Sequence, residues 1–141
     1  MQDNVKCMNL RFSNDLYDCV FNIWQRDIPS YIAWQDKKEY PLPQKEEWIL
    51  IACDSYDIDS QYQGKYVMLA QCESNPRREK RDPEGKKTGI HLTGHIFLPH
   101  PVDIIPTMKK GFWNELSMPD AQEILRQGDL HGFTFSQSFN K

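Results

Sequence analysis

The sequence predicts a mainly β domain: a β-rich α+β chain with a single antiparallel sheet or sandwich of five to six strands and one short helix near 118–127. Three observations carry this. The run GIHLTGHIFLP places Ile90, Leu92, Ile96 and Leu98 on one face, with Gly94 among them, and His91, Thr93, His95 and Phe97 on the other. That is the period-two pattern of a half-buried strand. Two further runs, WILIAC (48–53) and KYVMLAQC (65–72), are apolar on both faces, as strands near the middle of a sheet are. Between Ser117 and Gly128 the chain carries a helix start, a body and a stop.

Taken in order, Met8, Leu10 and Phe12 share one face of an opening strand, and Ser13-Asn14-Asp15 reads as a turn. LYDCVFNIW (16–24) fits a helical stripe or an alternating strand; its Tyr, Val, Phe, Ile and Trp content favours the strand. From Gln25 to Glu47 the chain turns polar and contains Pro29, Pro41 and Pro43, which predicts a loop region with at most one helical turn. WILIAC follows, and the polar DSYDIDSQYQG leads into KYVMLAQC, so these two runs are expected to be neighbours in the sheet.

KYVMLAQC and GIHLTGHIFLP flank the charged segment SNPRREKRDPEGKKT, a hairpin whose loop at 74–88 is expected to be mobile because Pro76, Pro83 and Gly85 interrupt regular structure. Pro101 and Pro106 bar long regular structure from VDIIPTMKKGFWNELS. In the helix, Ser117 is the cap, Asp120 stands three residues on, AQEILRQ is the body and Gly128 the end. The last run, GFTFSQSF, sets Phe133, Phe135 and Phe139 against Thr134, Ser136 and Ser138, a terminal strand.

With 141 residues the chain fits one globular domain, 1–141, able to bury about two thirds of its unfolded surface without disulfides. Aromatic residues make up 12% and supply large core side chains, while a mean hydropathy of -0.70 sets a strongly polar surface. No run of about eighteen apolar residues offers a membrane span, and MQDNVKCMNLRF lacks the apolar centre of a signal peptide. A cytoplasmic location is the resulting expectation. Cys7, Cys19, Cys53 and Cys72 form no CxxC pair and lie in apolar runs, so they read as buried reduced thiols, with no metal and no cofactor implied.

Charge is uneven. Residues 1–64 hold 11 acidic and 6 basic side chains, residues 65–88 hold 4 and 7, and residues 89–141 hold 5 and 4. The basic loop at 77–87, with Arg77, Arg78, Lys80, Arg81, Lys86 and Lys87, offers cations for phosphates. Against nucleic-acid binding, Glu79, Asp82 and Glu84 are interleaved and no aromatic is there to stack on bases.

The acidic residues point elsewhere. Glu46 and Glu47 precede WILIAC, and Asp54, Asp57 and Asp59 follow it, with Tyr56 and Tyr62 nearby. From Asp54 the EF-hand pattern fails at its sixth and twelfth positions. Carboxylates mixed with tyrosines suit a basic protein partner instead.

His91, Thr93 and His131 supply the catalytic alternative. His91-Leu92-Thr93 resembles half of the two-histidine phosphoesterase signature, whose paired elements provide acid, base and phosphate-binding hydroxyls. The second half departs from it: His131-Gly132-Phe133-Thr134 is one residue too long. His91 and His95, four apart on a strand, stand roughly 13 Å apart and cannot both ligate one ion.

Ile28-Pro-Ser-Tyr-Ile-Ala-Trp-Gln-Asp-Lys-Lys-Glu-Tyr40, followed by long strands in a small acidic domain, resembles some immunity proteins of bacterial contact-dependent toxin systems. The resemblance implies a non-enzymatic inhibitor that occupies the active site or substrate surface of a cognate toxin, often a basic nuclease. It transfers no individual residue. The expected function is therefore that of a binding protein that inhibits or sequesters a protein partner through Glu46, Glu47, Asp54, Tyr56, Asp57 and Asp59. The alternatives are a phosphoesterase using His91, Thr93 and His131, and nucleic-acid binding through 77–87.

Overall fold

The computed structural model describes residues 4–10, 30–35, 42–53, 63–78, 87–105, 113–133 and 135. In chain order they form β1 (Asn4–Leu10), β2 (Ser30–Gln35), β3 (Trp48–Cys53), β4 (Lys65–Cys72), β5 (Arg77–Arg78), β6 (Lys87–Asp103), β7 (Trp113–Ser117) and α1 (Met118–Gln127). The strands make one sheet in the order β2-β6-β4-β3-β1-β7, with β5 also paired to β6. The mainly β reading holds, and the helix lies where its cap and stop signals put it.

The sheet is mixed rather than antiparallel. β1 and β3 run parallel, Lys6 beside Ile49 through Leu10 beside Cys53, while every other pairing is antiparallel. WILIAC and KYVMLAQC are neighbours as expected, Trp48 opposite Gln71 and Ile51 opposite Met68. All six residues of β3 are buried, because β3 has a strand on each side and apolar packing on both faces.

One strand falls where the sequence predicts loop, and a short one lies in the segment barred from long regular structure. β2 lies within 25–47 and pairs along β6 from Ser30–Leu92 to Gln35–Lys87. β7 lies within the proline-bearing segment and pairs with β1 from Trp113–Met8 to Ser117–Asn4. Pairing of β5 with β6 also narrows the expected 74–88 loop, since Arg77 lies opposite Gly89 and Arg78 opposite Thr88. Residues 79–86, like the ambiguous 16–24 stretch, are outside the described residues.

β4 and β6 break the strict alternation through bulges. In β4 the register passes from Ile51–Met68 to Ala52–Tyr66, leaving Val67 over. Val67 therefore packs with Met68, Ala70 and Cys72, whereas Tyr66 and Leu69 belong to the opposite face. In β6, Gly94 has φ +61, and one residue of β4, Ala70, opposes two of β6, Gly94 and His95, between the pairs Gln71–Thr93 and Leu69–Ile96. The faces exchange there. Ile90 and Leu92 join one core cluster, and Ile96 and Leu98 the other, so they do not share the single face that their spacing predicts. Further along, the pairing jumps from Phe97–Met68 to Val102–Tyr66. The intervening Pro99 and Pro101 lack the N–H that a ladder position uses.

The core has two halves, one on each side of the sheet. On one side Met8, Ile49, Ile51, Cys53, Ala70, Ile90 and Trp113 are buried. On the other, Val5, Cys7, Leu50, Tyr66, Leu69 and Leu116 meet Ala121, Ile124 and Leu125 of α1. The final aromatic run is not a strand over its described residues. Gly132 takes φ +78, and the chain lays Phe133 and the buried Phe135 against the helix-covered half, Phe133 edge-on to Trp48 at 5.0 Å and to Phe135 at 5.6 Å. Cys7, Cys53 and Cys72 are buried reduced thiols; Cys19 is outside the described residues. Among the described residues, no helix is long and apolar enough to cross a membrane.

Candidate functional site

The chain enters β3 through a tight turn at Gln44–Glu47. The Glu47 N–H donates to the Gln44 carbonyl at 3.1 Å, and the Gln44 N–H donates to Glu47 Oε1 at 2.7 Å. The third residue of such a turn often needs a left-handed backbone, which favours glycine. Here that residue is Glu46, with φ +75. Its backbone is held on both sides: its N–H donates to the Cys72 carbonyl at 2.8 Å, and its carbonyl accepts from Gln71 Nε2 at 3.0 Å. Cys72 N–H donates back to the Glu47 carbonyl at 2.9 Å.

The same corner takes in the step between β4 and β5. Lys45 N–H donates to Asn75 Oδ1 at 2.7 Å, Glu73 N–H to the His91 carbonyl at 2.9 Å, and His91 N–H to Ser74 Oγ at 3.2 Å. Three segments of the chain thus converge. Glu46, Glu73, Asn75 and His91 are exposed on this corner, Glu47 is half-buried, and Lys45 and Arg77 supply exposed cations beside them. Buried beneath, the Cys72 thiol is pushed up to about 12 by its burial and, secondarily, by the Glu47 carboxylate.

The expected partner-binding residues divide. Glu46 and Glu47 stand at the Trp48 end of β3, whereas residues 54–59 follow its Cys53 end, so Asp54, Tyr56, Asp57 and Asp59 are outside the described residues. Glu47 spends its carboxylate on the turn, which leaves Glu46 as the outward-facing member of the pair. Glu73 is a member the sequence reading omitted. Its only local signal is the Ser-Asn-Pro that follows it, which ends β4 and turns the chain onto this corner.

No protein family, characterised protein or solved structure matches this chain.

His91, Thr93 and His131 are not brought together. Thr93, half-buried, faces Gln71 in the ladder, and His91 lies two residues on, past the Cys72 end of β4, where its carbonyl accepts the Glu73 N–H. His131 lies beyond α1, beside His100, and His100 belongs to the β6 stretch opposite residues 66–68 of β4. At about 3.3 Å per strand residue, the two ends are roughly 15 to 20 Å apart. The fold thus places His131 at the opposite end of β6 from His91 and Thr93.

His131 instead belongs to the end of the helix. Leu130 N–H donates to the Leu125 carbonyl and Asp129 N–H to that of Arg126, a Schellman closure with Asp129 in the left-handed position at φ +62. Gly128, expected to end the helix, is the cap itself at φ -77. Its small size matters for packing: an added Cβ would lie 3.1 Å from Leu98 Cδ1 and 3.2 Å from the His100 carbonyl oxygen. Asp129 Oδ1 is 2.6 Å from His131 Nε2, and Oδ2 is 3.9 Å from His100 Nε2, with all three side chains more than half exposed. Among the described residues, no group of three His, Cys, Asp or Glu side chains is placed to hold a metal ion.

Proposed function

We propose that this chain is a non-enzymatic binding protein that sequesters or inhibits a protein partner with a basic surface, and that Glu46 and Glu73 contribute to the contact. One observation carries the reading. Glu46, exposed, occupies a backbone conformation that disfavours a side chain, yet its backbone is fixed by hydrogen bonds to Gln71 and Cys72. Such strain is characteristic of positions whose side chain is kept for a task other than stability. A carboxylate on a pinned turn loses little backbone entropy when it meets a cation, which favours recognition over a flexible loop.

The resemblance of Ile28–Tyr40 to immunity proteins narrows the partner to a toxin, often a basic nuclease. Part of that stretch is β2, the last strand of the sheet beyond β6. The test is capture from a lysate of the protein's own cells at low and moderate salt, using the tagged chain and the Glu46→Lys/Glu73→Lys variant. We expect one stoichiometric protein partner whose affinity falls with salt and drops at least tenfold on charge reversal. Recovery of no such partner, or equal binding by the variant, removes this reading.

A further inference from the structure

We draw no further inference here: the strongest candidate, the His100–Asp129–His131 cluster where α1 ends against β6, carries nothing, because its side chains lie more than half exposed and, among the described residues, no such group is placed to hold a metal ion or points to another ligand.

Discussion

Glu46 shows how a residue can be legible in type and illegible in role. Its charge is plain in the sequence, but its left-handed backbone, φ +75, depends on the turn that hangs from β4. A side chain in that region costs about 1 kcal/mol relative to glycine, which adopts it freely. Glu46→Gly is therefore expected to raise stability by about 0.5–1 kcal/mol in urea unfolding while weakening partner binding. A loss of stability would show that the carboxylate itself supports the fold. The thiols give a second expectation. Burial pushes Cys53 and Cys72 up to about 12, and Cys7 higher still, with Cys53 adding to the effect on Cys7. At pH 8 the reactive thiolate is scarce at all three. Peptide mapping after maleimide treatment should find them unmodified in the folded protein and modified in urea; ready labelling of any one without denaturant would contradict its burial.

At the scale of the element, α1 is the part most fully specified by local chemistry. Ser117 Oγ accepts the Asp120 N–H at 3.3 Å, Pro119 occupies the first turn, and Ala121, Ile124 and Leu125 form the buried stripe. Its exposed side carries Glu123, whose carboxyl is held down to about 2, from an ordinary 4.5, by hydrogen bonds from Arg126 and then Gln127. Because the folded value is the lower one, the ionised carboxylate favours the folded helix. That contribution is complete above about 4.5 and disappears as the pH falls from there through about 2. The stability gap between the parent chain and Glu123→Gln, followed by circular dichroism, should thus close over that acid range. Its place on the solvent-facing side keeps the gap small, and added salt should narrow it further. A gap independent of pH would mean that the amide perturbs the helix in some other way. β6 is the opposite case. Alternation correctly marks it as a strand, yet the bulge at Gly94 reverses its faces, and the two prolines take Leu98–Pro101 out of register. A period-two reading assumes an unbroken pleat, so one extra residue exchanges inside for outside.

For the whole molecule, the decisive feature is a sheet whose central strands are covered on both faces. On the helix side, part of the cover comes from residues far along the chain: Phe135 is 2% exposed and packs with Trp48, Leu50 and Tyr66 in one cluster. Phe135→Ala should destabilise the protein by about 3–5 kcal/mol, the usual cost of emptying an aromatic core position. A urea midpoint shift corresponding to less than about 1 kcal/mol would indicate that neighbouring side chains collapse into the space. The central strands and helix were legible because their signals are local: continuous apolar runs, a capping serine, and an aspartate three residues on. β2 and β7 were not, since each is short and stabilised by ladders to β6 and β1 that no local pattern records.

The candidate site divides along the same line. Glu46 and Glu47 could be chosen from charge alone, but Glu73 and His91 join their corner only through hydrogen bonds between segments distant in sequence. His91 and His131, conversely, share a chemistry and not a place. By itself the sequence determined the β-rich class, the apolar strands and the capped helix, because hydrophobic period and capping act over a few residues. Tertiary structure alone decided the parallel β1–β3 pairing, the reversal of faces in β6 and the grouping of the site residues, because strand order and register follow from mutual burial and hydrogen bonding across the whole sheet.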